Sequence, residues 1–146
     1  MSVPLRARAF FGDVLALARE SWVREMSGRL VPHGYGDYRR SDTLALRVLD
    51  HGSLPLGTFA KALGVSRQAA RKVATGLVER DFAHVNVDAD DARRRNIELT
   101  PAGHEYAKAI VEVIRTLDGE LSAKVDPSQL AAAREVLTFV KDNFGL

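Results

Sequence analysis

The sequence predicts a mainly α-helical chain carrying one small β-hairpin, and three observations support that reading. Apolar residues recur at helical spacing over most of the 146 residues. Two of the helical stretches are short and are joined by a tight turn containing glycine, as in a helix-turn-helix. The period then switches from helical to alternating for two short runs around a charged stretch, before helical spacing returns.

From Leu5 to about Val31, Phe11, Leu15, Ala18, Trp22 and Met26 form one stripe, widened by Phe10, Val14 and Leu17. This predicts a long helix with a broad buried face. The segment "PHGYG" ends it, because a proline and two glycines break the pattern. Ser41 or Asp42 can cap a second helix, which carries Leu44, Leu46, Val48 and Leu49 and stops near Gly52. Phe59, Ala60 and Leu63 mark a short helix that Gly64 terminates. Val65 is expected to tuck inward, and Ser66 suits the N-cap of the next helix. On that helix Ala69, Ala70, Val73 and Leu77 fall on the inner face, while Arg67, Gln68, Arg71, Lys72 and Thr75 fall largely on the outer one.

Alternation over "FAHVNVD" (82–88) and again over "NIELT" (96–100) predicts two strands. Asp90, Asp91, Arg93, Arg94 and Arg95 then lie at the tip between them. Thr100 followed by Pro101 is a helix start, a capping hydroxyl and then a proline whose missing N–H costs nothing there. Tyr106, Ile110, Val113, Leu117 and Leu121 supply the stripe of a long helix. Asp126 opens a last one, with Gln129 placed to reach back to it. Leu130, Ala133, Leu137, Val140 and Phe144 form its apolar face.

The composition excludes several classes. There are no cysteines, hence no disulfide framework, thiolate metal site or cysteine nucleophile. No stretch approaches the roughly 18 apolar residues of a membrane span. The N-terminal segment acquires Asp13 and Glu20 and so lacks the uncharged core of a signal peptide. A single cytoplasmic domain over 1–146 is the expectation, with no cofactor and no membrane partner. His33, His51, His84 and His104 are scattered without metal-ligand spacing, and "GYG" at 34–36 has no preceding strand, so neither a metal site nor a phosphate cradle is expected. Net charge is only +2, yet Ser66 to Arg80 carries Arg67, Arg71, Lys72 and Arg80 against Glu79 alone. Such a local surplus suggests an anionic partner.

The order of elements, together with "LGVSRQAARKVATGLVERD" and Asp91-x-Arg93 followed by Leu99-Thr100, resembles the MarR family of winged-helix transcriptional regulators. The specific match runs from about Asp42 to Gly103. It implies a winged helix-turn-helix region over about 40–103, flanked by N- and C-terminal dimerisation helices at about 4–32 and 101–146. Three departures stand out. Asp81 replaces a glycine after the recognition helix, which aspartate tolerates because it enters the left-handed region more readily than most residues. Val85 replaces a common wing arginine, and Pro55 replaces the usual Ser or Thr ahead of the first helix of the motif.

The chemistry agrees with the resemblance. The first turns of a helix in the major groove present side chains to base edges. Arg67 and Arg71 have the fork that suits guanine, Gln68 suits adenine, and Lys72 reads as a phosphate contact. Arg93 at the hairpin tip can enter a narrow minor groove, and the resemblance implies that Asp91 orients it. Ser66, Thr75, Arg94 and Arg95 complete the expected DNA-contact set. The bland alternative for this tip is a solvated turn whose charges serve solubility.

The expected function is sequence-specific binding of double-stranded DNA by a homodimeric regulator, a repressor reading a palindromic operator. The alternative is a winged-helix interaction module or a non-specific nucleic-acid binder; an enzyme is not expected. The resemblance also implies a small effector, aromatic or anionic. Trp22, His33, Tyr35 and Tyr38 are the candidate site, with Arg39 and Arg40 beside them to attract a carboxylate. The alternative is that these rings only pack the joint between helices.

Overall fold

A computed structural model describes residues 9–145 of the chain. The expected helix start at Leu5 lies outside the described residues. Helix α1 spans Phe11–Leu30. Its first turn is tied by the Phe10 N–H, which donates to Asp13 Oδ2 at 3.0 Å. A 3₁₀ turn at Val31–His33 follows and ends at Gly34. Helices α2 (Asp42–Asp50), α3 (Leu56–Leu63) and α4 (Arg67–Glu79) come next, with a two-residue strand, β1 (Leu54–Pro55), before α3. Strands β2 (Ala83–Val87) and β3 (Arg95–Leu99) form the hairpin, and helices α5 (Pro101–Lys124) and α6 (Pro127–Asn143) close the chain.

The sheet has three antiparallel strands in the order β1-β3-β2, one more than the two-stranded wing expected. β2 pairs with β3 from Ala83↔Leu99 to Val87↔Arg95, and β1 adds Leu54↔Ile97 and Pro55↔Asn96 on the other side of β3. Pro55 sits on an edge strand, where a missing N–H is tolerated.

The described residues group into two compact units, one running to Val111 and the other from Glu112, with the boundary inside α5. The first unit is built around Leu30, Leu46, Leu49, Phe59, Leu77, Ile97 and Tyr106, all fully buried. Burial of each such side chain stabilises by about 1.5–3 kcal/mol. On α4 the buried positions are Ala70, Ala74, Gly76 and Leu77, close to the inner face expected. Val65 does not tuck inward: it is 43% exposed, although its N–H closes the turn onto the Ala60 carbonyl.

The broad buried face expected of the first helix is also absent. Only Met26 and Leu30 of α1 are buried, while Phe10, Phe11, Val14, Leu17 and Trp22 are exposed. In the second unit α6 has no buried residue, and Val136, Leu137, Phe139 and Phe144 face outward. Periodicity reports that a helix has an apolar face; it does not report what covers that face.

Candidate nucleic-acid interface

Helix α4 starts where its cap dictates. Ser66 is extended, and its Oγ accepts the Ala69 N–H at 3.1 Å. Arg67, Gln68, Arg71, Lys72 and Thr75 are all exposed on the resulting outer face. At the other end the chain must reverse into β2. Asp81 does this at φ 64, the one non-glycine residue with positive φ among the described residues, as the substitution for glycine predicts. The turn is locked to the start of α5: Thr100 Oγ1 donates to the Asp81 carbonyl at 2.6 Å and accepts the Gly103 N–H at 3.0 Å. Gly103 packs so closely that a Cβ there would collide with the Phe82 carbonyl oxygen. The hairpin therefore leaves α4 and enters α5 along one fixed path.

The hairpin tip is organised by Asp88, a residue the sequence reading does not single out. Its Oδ1 accepts the N–H groups of Asp90 (2.8 Å) and Asp91 (3.3 Å), and its Oδ2 accepts the Asn96 side-chain amide at 3.1 Å. These bonds, led by that from Asp90, hold its carboxyl below the usual range. The signal for it was an aspartate two residues ahead of a charged turn, the pattern of an Asx-turn. Asp91 acts differently from the expectation. Its Oδ1 accepts the backbone N–H of Arg93 at 2.9 Å, so it positions the chain and not the guanidinium. The Arg95 guanidinium is tied back to the Ala92 carbonyl at 3.0 Å. Arg93 and Arg94 form no ion pair among the described residues.

The fold brings the two basic segments of the sequence together. A cleft of about 500 Å³ lies between the starts of α3 and α4 and the hairpin tip. Lys61, Arg67, Arg71, Arg93, Arg94 and Arg95 line it, with Asp91 as the single acid. Six cations around one concave surface favour a polyanion.

Arg80, counted with the basic surplus, does not belong to this surface. It is 11% exposed and bidentate to Asp42, with Nη1 to Oδ2 at 2.8 Å and Nη2 to Oδ1 at 2.6 Å. This pairing raises the Arg80 pKa further. Asp42 is fully buried at the first turn of α2, and its Oδ2 also accepts the Tyr106 hydroxyl at 2.8 Å. Burial, and then the Asp42 charge, push the Tyr106 pKa far up.

The candidate effector residues are differently engaged. Tyr35 stacks on Tyr106 (centroids 4.3 Å apart), and Phe82 meets Tyr106 edge-on at 4.5 Å. The Tyr38 hydroxyl shares a 2.7 Å hydrogen bond with Thr43. Burial raises the pKa of both tyrosines. Trp22 lies on α1, 38% exposed, and His33 is exposed in the 3₁₀ turn. Arg40 is paired with Glu20 at 2.7 Å.

No family model matches the chain. It is 32% identical over 92 residues to an uncharacterized protein of Mycobacterium tuberculosis, a match covering 63% of this chain and 64% of that protein's length. A Staphylococcus aureus protein named as an HTH-type transcriptional regulator is 27% identical over 82 residues, 56% of each chain. Among solved structures, S. aureus MepR in complex with DNA superposes with a TM-score of 0.80 at 18% identity, covering 93% of this chain and 99% of that one. PcaV of Streptomyces coelicolor, in complex with its natural ligand, has a TM-score of 0.80 at 17% identity, covering 98% of each. A MarR family transcriptional regulator from Silicibacter pomeroyi has a TM-score of 0.70 at 22% identity, covering 99% and 95%. The chain has the winged helix-turn-helix fold of the MarR-family transcriptional regulators.

Proposed function

We propose that this chain is a sequence-specific DNA-binding transcriptional regulator, a repressor that binds a palindromic operator as a homodimer. The observation that carries the reading is the cationic cleft, where the exposed face of α4 and the free arginines of the hairpin converge. Helix α4 suits the major groove, and Arg93 and Arg94 suit the adjacent minor groove or its phosphates. Ser66, Gln68 and Thr75 complete the base-facing set, with Asp91 and Arg95 shaping the tip. The MepR structure, solved with DNA, supports the same use of the fold.

Dimerisation is supported by the apolar side chains that α1 and α6 leave exposed, Phe10, Phe11, Val14 and Leu17 on one and Leu137 and Phe139 on the other. Exposed apolar side chains of this kind on each helix suit an interaction surface, and a palindrome requires two-fold symmetry. Release by a small aromatic or anionic effector completes the proposal, with Trp22, His33, Tyr35 and Tyr38 as its candidate residues. PcaV, solved in complex with its natural ligand, supports that element.

The test is a binding titration on an inverted repeat flanking the chain's own coding region, against random duplex. Arg71→Ala should cost about 1–3 kcal/mol on the repeat and relax specificity at one base position. Lys72→Ala should weaken both duplexes alike. Equal affinity of the parent for both duplexes would overturn sequence-specific reading.

A further inference from the structure

The recess between α4 and the wing is lined by Arg71, Ala74 and Val78 with Val85 and Ile97, so this side of α4 faces the hairpin. Lys72, Gly76 and Arg80 follow one another at four-residue spacing on a different flank. Arg80 is neutralised by Asp42 on that flank. Gly76 has no side chain, and the space beside it is taken by Arg39, whose Nη1 lies 2.8 Å from where a Cβ at position 76 would sit. Arg39 is exposed, and its guanidinium has no ion pair among the described residues. Its backbone is pinned twice: the Arg39 N–H donates to Asp42 Oδ2 at 3.0 Å, and its carbonyl accepts the Asp42 N–H at 2.9 Å. The buried carboxylate that anchors the end of α4 through Arg80 thus also holds Arg39 against the side of that helix.

We propose that Arg39 is a DNA-phosphate contact on the flank of the recognition helix away from the wing. The major groove is bordered by a phosphate strand on each side. A helix entering it between Arg39 with Lys72 on one flank and Arg93 with Arg94 on the other neutralises both. Gly76 is the residue that admits the Arg39 side chain. The proposal rests on the DNA-binding reading above, and it gives Arg39 a role other than attracting an effector carboxylate.

The experiment titrates a mixed-sequence duplex of about three helical turns with the parent and with Arg39→Ala, Arg39→Gln, Arg39→Lys, Lys72→Ala and Arg40→Ala. Between about 50 and 200 mM salt, one lost phosphate contact removes a factor of about 3.5 from the parent's loss of affinity. Arg39→Ala and Arg39→Gln should both show that flattening, as Lys72→Ala does, while Arg39→Lys and Arg40→Ala keep the parent's salt dependence. Arg39→Gln keeps a stem over Gly76, which separates loss of charge from loss of packing. Two results overturn the inference alone: Lys72→Ala flattens the dependence while both neutral Arg39 variants match the parent, or Arg40→Ala flattens it equally. A parent that binds the duplex without salt dependence would overturn the DNA-binding reading with it.

Discussion

The substitution Asp42→Asn tests the joint that fixes α4 to the rest of the winged unit. Asp42 Oδ2 accepts three hydrogen bonds, from Arg80 Nη1, the Tyr106 hydroxyl and the Arg39 N–H, and Oδ1 accepts the shortest, from Arg80 Nη2 at 2.6 Å. An amide of the same shape must turn its NH₂ toward one of these two sets, so donor faces donor, and the Arg80 charge keeps only the more distant and exposed Asp37 carboxylate, 3.9 Å away. Arg80 is 11% exposed and Asp42 not at all, so solvent compensates little. Breaking a buried pair in this way costs about 3–5 kcal/mol, a large part of the roughly 5–15 kcal/mol that holds a domain folded. Tyr106→Phe removes one hydrogen bond to a charged acceptor and keeps the ring stack on Tyr35, at a cost of about 1.5–3 kcal/mol. Urea unfolding followed by circular dichroism measures both, and the double variant should lose less than the sum because the groups share one carboxylate. A loss below about 1 kcal/mol for Asp42→Asn, against the buried-pair expectation, would refute the reasoning by showing that the carboxylate does not organise the joint.

Three further outcomes follow from the same geometry. Gly103→Ala should destabilise by about 1–3 kcal/mol, since the new methyl group displaces the Phe82 carbonyl and the α5 start must move; an unchanged urea midpoint would count against the close approach. Asp91→Asn should bind DNA at least as well as the parent, because its amide oxygen still accepts the Arg93 N–H, whereas Asp91→Ala should weaken binding; equal losses in an anisotropy titration would show that the charge, and not the turn, matters. Tyr106, ordinarily ionising near 10.0, stays protonated in the folded chain, so its contribution is intact below that pH and declines above it as the unfolded chain ionises. Urea midpoints taken from about pH 8 to 11 should fall for the parent, and fall less for Tyr106→Phe.

What the sequence made legible is what is local. Ser66, Thr100 and Gln129 cap their helices through partners three residues away, and each does so in the structure. The left-handed Asp81 follows from a single substitution in a known turn. Arg80 and Asp42 lie 38 residues apart and Asp42 and Tyr106 lie 64 apart, so neither pairing leaves a trace in spacing. Asp42 therefore read as a helix cap and Arg80 as a surface cation. The third strand was missed for a similar reason, since two residues ending in proline carry no alternation. The convergence of the two basic segments was visible only as two separate signals, because it depends on the hairpin folding back toward the start of α4.

The composition of the hairpin tip now has a physical reason. Asp88, Asp90 and Asp91 formally cancel Arg93, Arg94 and Arg95, so net charge gives no cause for DNA to approach it. Geometry separates the two signs. Asp88 and Asp91 are short, and their oxygens accept N–H groups of the turn and of Asn96. Arg93 and Arg94 are long and form no ion pair among the described residues, so their charge stands out from the turn. Carboxylates satisfied by backbone N–H groups rigidify the loop that holds the guanidiniums, which lessens the entropy lost when those side chains are fixed on a partner. A tip built from neutral turn residues would also carry cations, but on a looser backbone. The acids beside the arginines are therefore consistent with an anion-binding surface: they act on the chain, and the arginines act on what approaches it.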